Sequence, residues 1–324
     1  MKKILKYFFI ILLLIVLSIP IVFRHRIALF YSVYKEYTDY KENITDMNME
    51  DILEEDNDLK TKKVVYKNTN NTNLALEIFS PETIPKTGSP VILYVHGGSW
   101  AYGDSKIPGI LSPLLKSFIN GGYTIISVNY ELLNSKIDFY KQVCDVKDSI
   151  RWVYKNKDEY NFNTDEIGVI GISAGAHLSL LACYSDENDF IDDESLSKYS
   201  SKIKYMVDFF GPTDLNTLDQ SVATKDITNA LKKVQGNNEY IEKFSPINYV
   251  TKGVPKTLII HSKSDNLVPY ENSLNLYNKS KELNNNVKLV TVNDMNHDLS
   301  NISTEDAKDI ILNFLFFVIN NSPR

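Results

Sequence analysis

Residues 166–183, EIGVIGISAGAHLSLLAC, place a serine where its hydroxyl can act as a nucleophile. Ser173 lies between Gly171 and Gly175 in the pattern G-x-S-x-G, after an apolar β-branched run and before a helix-forming stretch. The two glycines permit a sharp turn from strand to helix, and the serine is presented at the tip of that turn. A tight turn in any doubly wound sheet can produce the same pattern, so the hypothesis depends on partner residues elsewhere.

A serine hydroxyl needs a base within hydrogen-bond reach, and that base needs an acid to orient it. His297 lies in the polar loop NDMNHD, between the last predicted strand and the last predicted helix. An order of serine, acid and histidine along the chain places the base there. The remaining histidines flank the N-terminal apolar run, follow the serine by one helical turn or end strands, and a packing or structural role is the alternative for each: His25, His177, His96 and His261.

The acid of such a triad follows the penultimate strand, and Asp265 stands just past the apolar run TLII. A carboxylate buried beside His297 would fix the imidazole tautomer that accepts the serine proton. Asp294 and Asp298 flank the histidine too closely to be the first choice. Asp214 follows Pro and Thr, a context that favours capping a turn. We therefore predict Asp265 as the acid.

Besides a nucleophile and its partners, such a site needs donors for the negative charge that forms on the substrate oxygen. The sequence HGGSW, which begins at His96 and follows an early strand, can provide them. Two successive glycines let backbone N–H groups point into a site that a side chain would otherwise obstruct. The alternative is an ordinary Gly-Gly turn leaving a strand. With the serine, acid and base following in order, we predict an oxyanion hole formed by the backbone N–H groups of Gly97, Gly98, Ser99 and Ala174.

The elements that must position these residues alternate between strand and helix. A hairpin is predicted over 63–79, followed by strands at 91–95, 124–128, 167–172, 203–210, 257–260 and 287–292 and helices at 110–119, 139–154, 174–183, 270–281 and 305–319. Such alternation of apolar strands with helices predicts an α/β fold with a mostly parallel, doubly wound sheet. Residues 216–240 fall outside this rhythm, and we expect them to cap the site.

The N-terminus carries a second clear feature. Lysines precede an uncharged run at residues 7–23, which as a helix would be about 26 Å long, close to the thickness of the bilayer core. We predict a transmembrane signal anchor over 1–26, a stalk over 27–60 and a catalytic domain over 61–324. The lysines favour an N-terminus inside and an extracytoplasmic domain. A cleaved secretory signal is the alternative.

Composition excludes other classes of function. With 324 residues, 43% hydrophobic, the chain is long enough for one large core. A formal net charge of -6, without a basic patch, argues against a nucleic-acid partner. The two cysteines and five histidines show no metal-ligand spacing, so we expect neither a metal nor another cofactor.

Together the motifs HGGSW, GISAGAHL, FGPTDL and DNLVP, with His297, resemble the α/β-hydrolase carboxylesterases. They are similar to the branch that contains acetyl-xylan and feruloyl esterases and hormone-sensitive-lipase-like enzymes, over about residues 91–318. The resemblance implies the α/β-hydrolase fold, with Ser173, Asp265 and His297 as the triad. Two positions depart from the family: Ser262 and Glu131 stand where members often have Gly and Arg.

These features predict a membrane-bound serine carboxylesterase for small-molecule esters. Residues 216–240 are polar in much of their length, and no long apolar tunnel is evident, so short acyl groups, acetyl among them, are expected. The H-G-G-x-W form also resembles kynurenine formamidases, which leaves amide hydrolysis as an alternative. A catalytically silent binding module is the third hypothesis, although such modules usually lack a triad member and none is missing here.

Overall fold

Runs of apolar and β-branched residues form one sheet. The structure is a computed structural model that describes residues 28–29, 31–33, 35, 61–69, 72–108, 111–134, 136–218 and 238–322. Within these residues the strands are β1 (Thr61–Asn68), β2 (Asn73–Phe79), β3 (Ser89–Val95), β4 (Thr124–Val128), β5 (Phe162–Ile172), β6 (Tyr205–Phe209), β7 (Lys256–Ser262) and β8 (Val287–Val292). Every residue of β3, β4 and β6 is buried, as expected for strands covered on both faces.

The helices of the same residues are α1 (Ser112–Asn120), α2 (Phe139–Lys155), α3 (Lys157–Tyr160), α4 (Ala174–Tyr184), α5 (Glu194–Ser197), α6 (Asn238–Lys243), α7 (Glu271–Glu282) and α8 (Thr304–Asn321). Two short 3-10 helices, Leu215–Thr217 and Pro246–Tyr249, complete them. Asp138 caps α2 by accepting a hydrogen bond from the backbone of Lys141, and Ser303 caps α8 in the same way.

The strand order is β1-β2-β4-β3-β5-β6-β7-β8. The pairs β1–β2 and β2–β4 are antiparallel, whereas every neighbouring pair from β4 to β8 is parallel. One core cluster joins α2, α4 and α7 to one face of the sheet, and a second joins α1 and α8 to the other. The carboxyl ends of six strands, β3 to β8, therefore meet at one edge of the sheet, which we call the carboxyl edge.

The predicted hairpin and the predicted alternation of strands and helices are confirmed, and so is the α/β-hydrolase fold. None of the helices among the described residues combines the length and apolar character needed to cross a bilayer. The predicted anchor over 1–26 lies outside the described residues. The same is true of 219–237, which is most of the segment expected to cap the site.

Two residues of the predicted stalk touch the domain. Leu29 and Val33 are helical, and both are buried within the cluster of α1 and α8. Tyr31, between them in sequence, is 67% exposed. The part of the stalk nearest the predicted anchor therefore packs against the domain at these two side chains.

A buried group of charges joins β1 to α2. The Lys67 ammonium lies 2.7 Å from Asp145 Oδ1, 2.8 Å from Asp148 Oδ2 and 2.9 Å from Asp192 Oδ2. Burial opposes the charge on Lys67, but Asp145 and Asp148 outweigh that effect and hold its pKa above the usual range. Glu131, at the position where family members often have Arg, accepts a hydrogen bond from Thr69 instead.

We expect Lys67→Met to lower the free energy of unfolding by about 3–5 kcal/mol, because it leaves Asp145 and Asp148 as buried carboxylates without their lysine. Urea denaturation measures this. Lys62→Met, on the same strand but exposed, is the matched control and should change stability by less than about 0.5 kcal/mol. Equal stability of the two variants would show that the buried charges contribute nothing to folding.

Candidate active site

Ser173 sits on the turn between β5 and α4 in a conformation that few residues adopt. Its φ is 52° and its ψ is -119°. A Cβ on Gly171 would lie 2.5 Å from the Cα of Ala176, and one on Gly175 would lie 2.2 Å from the carbonyl oxygen of Val95. Both glycines are therefore required by close backbone approach, and the turn pushes the serine hydroxyl out at the carboxyl edge.

The structure brings the three predicted triad residues together. Ser173 Oγ lies 2.7 Å from His297 Nε2, and His297 Nδ1 lies 2.8 Å from Asp265 Oδ2. A carboxylate oxygen can only accept, so Nδ1 carries the proton and Nε2 is free to accept from the serine hydroxyl. The imidazole edge also packs against Phe210, with ring centroids 4.8 Å apart.

Asp265 is surrounded by donors. Its Oδ1 accepts hydrogen bonds from the backbone N–H groups of Leu267 and Val268, both at 2.9 Å. Its Oδ2 is shared by His297 and by His261, whose Nε2 is 3.1 Å away. Burial opposes ionisation, but the hydrogen bonds from the two histidines outweigh it and hold the pKa of this carboxyl well below its usual range.

His261 is the residue of this group that the sequence analysis did not assign to the site. Its side chain is fully buried, and its Nε2 lies 3.1 Å from the carbonyl oxygen of Val268 as well as from the Asp265 carboxylate. Both of these oxygens only accept, so Nε2 carries the proton. Nδ1 is then an acceptor, and the Ser273 hydroxyl donates to it at 2.7 Å. The sequence signal for this contact is the spacing: Asp265 comes four residues after His261, which lies near the end of β7.

Ser262 connects the loop that contains Asp265 with the loop that contains His297 through hydrogen bonds. Its hydroxyl accepts from the backbone N–H groups of Ser264 and Met295, each at 3.1 Å. The Ser264 hydroxyl donates to the carbonyl oxygen of Asn293 at 2.7 Å. A glycine, which family members often have at position 262, provides no such side-chain contact. This departure therefore adds a link between the two loops in this chain.

The predicted oxyanion loop has an unusual backbone. Gly98 has φ 111°, and Ser99 and Trp100 follow with φ 51° and 63°. A Cβ on Gly98 would lie 2.2 Å from the carbonyl oxygen of Tyr102, so only glycine fits there. Gly97 adjoins the nucleophile, since a Cβ at that position would lie 3.5 Å from the Cβ of Ser173.

Contacts from several elements hold this loop in its left-handed conformation. The Trp100 indole donates to His177 Nδ1 at 3.1 Å, and His177 Nε2 donates to the carbonyl oxygen of Phe244 at 2.7 Å. Burial lowers the pKa of His177 to about 4, so it stays neutral and keeps its acceptor. The side-chain amide of Gln142 donates to the carbonyl oxygen of Trp100 at 2.8 Å. The Tyr130 hydroxyl donates to the carbonyl oxygen of His96 at 3.0 Å.

Ala174 is the first residue of α4, a position whose N–H has no acceptor within a helix. Gly97 and Ala174 thus adjoin the same serine, and the oxyanion hole formed by the N–H groups of Gly97, Gly98, Ser99 and Ala174 stays a prediction. Two of the competing acids accept other hydrogen bonds: Asp214 caps a 3-10 helix, and Asp298 accepts from the backbone N–H of Ser300. In the described part of the chain, no cluster of His, Cys, Asp and Glu is suited to a metal ion.

The fold and this site define an α/β-hydrolase with a Ser-His-Asp arrangement at the carboxyl edge of its sheet. A family model described as BD-FAE matches residues 76–280. This range is more than half of the chain, and the chain belongs to that family. The resemblance to hormone-sensitive-lipase-like carboxylesterases, drawn above from the motifs, is thereby confirmed.

Curated relatives carry the names of esterases. The chain is similar to Esterase LipC of Mycobacterium tuberculosis, with 25% identity over 60% of this chain and 49% of that protein. It is similar to Esterase LipQ of the same organism, with 28% identity over 58% of this chain and 45% of that protein. The chain thus spans about half the length of the curated relatives it matches.

Solved structures share the fold. An esterase of the planctomycete Thermogutta terrifontis, with butyrate bound, has a TM-score of 0.66 at 23% identity and covers 82% of this chain and 96% of its own. A truncated carbohydrate esterase from gut microbiota has a TM-score of 0.65 at 27% identity and covers 81% of this chain and 96% of its own.

We expect His261→Leu to lower kcat about tenfold to a hundredfold, because a hydrogen bond to a charged group contributes about 1.5–3 kcal/mol. The acceptor it serves, Asp265, is not itself a reacting group, so KM should change little. Steady-state kinetics measures kcat and KM separately.

His261→Gln is the matched variant, because its amide can still donate toward Asp265. It should recover part of kcat. If both variants lose activity equally, the contribution of His261 is to the packing of the core and not to the hydrogen bond with Asp265.

Proposed function

We propose that this chain is a serine carboxylesterase that hydrolyses short-chain acyl esters. The observation that carries the proposal is the continuous set of hydrogen bonds from Ser173 Oγ through His297 to Asp265, at 2.7 and 2.8 Å. Esters suit this site because a hydroxyl activated by a neutral imidazole attacks a carbonyl carbon whose alcohol leaves readily.

In the first half of the proposed reaction, Ser173 Oγ bonds to the carbonyl carbon and passes its proton to His297 Nε2. The carbonyl electron pair moves onto the oxygen, which becomes an anion. When the intermediate collapses, the bond from carbon to the alcohol oxygen breaks, and the alcohol leaves with the proton from Nε2. The product on the protein is an acyl ester of Ser173.

In the second half, a water molecule attacks the acyl carbon and gives one proton to His297 Nε2. The bond from carbon to Ser173 Oγ then breaks, the serine takes that proton back, and the carboxylic acid leaves. Asp265 stays ionised throughout and stabilises the imidazolium that forms in each half. Its low pKa, set by the donors around it, suits that role.

The negative oxygen formed in each half needs donors that are already in place. The backbone N–H groups of Gly97, Gly98, Ser99 and Ala174 are the proposed donors. One donor of this kind contributes about 3–4 kcal/mol to transition-state stability in other enzymes. The contacts of Trp100 with His177 and Gln142 fix the loop beforehand, so that the donors do not have to reorganise during the reaction.

Two lines of support favour a small ester as the substrate class. The similar mycobacterial proteins are named esterases, and the similar gut protein is a carbohydrate esterase. The sequence of 216–240 is polar in much of its length, which favours short acyl groups over long apolar ones. We therefore propose acyl groups of acetate to butyrate length on a polar alcohol, such as a carbohydrate hydroxyl.

We also propose that residues 7–23 anchor the protein in a membrane, with the catalytic domain on the extracytoplasmic side. The support is the uncharged length of the run and the lysines that precede it.

A screen of p-nitrophenyl esters tests the function. We expect kcat/KM to be highest for acetate to butyrate and to fall for decanoate and longer esters, with Ser173→Ala as the inactive control. Higher kcat/KM on decanoate than on butyrate would contradict the short-acyl proposal. Turnover of formyl-kynurenine alone would instead favour the formamidase alternative, and no turnover of any substrate would favour a binding module.

A further inference from the structure

The helical residues that follow the proposed anchor dock at one defined place on the catalytic domain. Leu29 is 4% exposed and Val33 is 3% exposed, so both side chains are as buried as core residues. Leu29 Cδ1 lies 3.0 Å from where a Cβ on Gly121 would be. A side chain at position 121 would come too close to Leu29, so the two residues are closely packed.

Gly121 lies at the edge of the sheet opposite the active site, which we call the amino edge. It directly follows α1, the helix that returns from the carboxyl end of β3 to the start of β4 at Thr124. The last helix also ends there, because the Tyr123 hydroxyl donates to the carbonyl oxygen of Ser322 at 3.2 Å. Leu29 is thus held among the turns that precede the parallel strands.

The chain also enters the sheet at the amino edge. Thr61, the first residue of β1, pairs with Phe79, and Phe79 pairs with Ile125 near the start of β4. Both the docked helical residues and the first strand therefore connect to the domain on the side away from the triad.

The catalytic residues occupy the other edge. Ser173 follows the last residue of β5, Asp265 follows β7, and His297 follows β8. At about 3.3 Å per residue, strands of the length of β3 and β4 separate the two edges by about 16–23 Å.

The distance from the anchor to the docked residues is short. Leu29 comes six residues after Phe23, the last residue of the uncharged run. Whatever their conformation, six residues span at most about 20 Å. Leu29, at the amino edge, therefore lies within about 20 Å of the membrane surface if residues 7–23 lie within the bilayer.

We propose that the amino edge of the sheet is the membrane-facing surface of this protein and that the active site opens away from the bilayer. This inference rests on the proposed membrane anchoring. Its consequence concerns the source of the substrate. An active site on the far side of the domain receives esters from the aqueous phase or from polymers beyond the membrane, and the acyl esters of bilayer lipids are out of its reach.

The test compares one label at each edge of the full-length protein in phosphatidylcholine vesicles. Asn120→Cys at the amino edge and Lys263→Cys at the carboxyl edge replace exposed residues, in a background where Cys144 and Cys183 are replaced by Ala. Each carries the same fluorophore, and a share of the lipids carries a nitroxide on the headgroup, which quenches over a short range. We expect at least threefold stronger quenching at position 120 than at position 263.

A pair of variants then tests the docking itself. Leu29→Asp puts a charge into the buried contact, whereas Tyr31→Asp puts the same charge on the exposed side of the same helical residues. Leu29→Asp should reduce the difference in quenching between the two labels, and Tyr31→Asp should leave it intact. Both should keep the esterase activity, because the triad is at the opposite edge.

Equal quenching at both positions, or stronger quenching at position 263, would overturn the inference. Recovery of the protein in the supernatant rather than with the vesicles would overturn it as well. A failure of the proposed esterase function is distinguishable, because it would appear as a lack of ester turnover while the difference in quenching remains.

Discussion

The buried carboxylate of Asp265 is the group on which the geometry of the site depends. A charge that is almost fully removed from water is unfavourable unless donors surround it, and here two backbone N–H groups and two imidazoles do so. Because His297 is one of those imidazoles, the same contacts that keep the carboxylate ionised also orient the residue proposed as the base. In the proposed reaction, one set of hydrogen bonds therefore stabilises the buried charge and positions His297 Nε2 for proton transfer.

The parallel sheet makes this convergence possible. Strands β5, β7 and β8 end at the same edge, so residues more than a hundred positions apart in sequence meet there, as Ser173 and His297 do. The turn of Ser173 is strained, and the loop after β3 holds three successive left-handed residues. Such conformations persist only where the surroundings over-determine them, and the contacts of Trp100 with His177 and Gln142 provide that constraint.

Much of this was predictable from the sequence, because apolar runs and glycine patterns are local signals. Short segments of the sequence indicate the strands, the turn that presents Ser173 and the order of acid and base. No short segment indicates which side chains meet when they are distant in sequence. His261 looked like a core histidine because only the turn after β7 brings its Nε2 to Asp265. The pairing of Lys67 with Asp145 likewise depends on how β1 packs on α2. Among the predicted features, the membrane anchor over 1–26 stays a prediction.

We propose that the hydrogen bonds from Asp265 through His297 make Ser173 the nucleophile. Labelling with a fluorophosphonate, followed by mapping of the modified peptide by mass spectrometry, tests this proposal. We expect one modified residue, Ser173, with labelling lost in His297→Ala and strongly slowed in Asp265→Asn. Modification of a different serine, or undiminished labelling of Ser173 in His297→Ala, would contradict it.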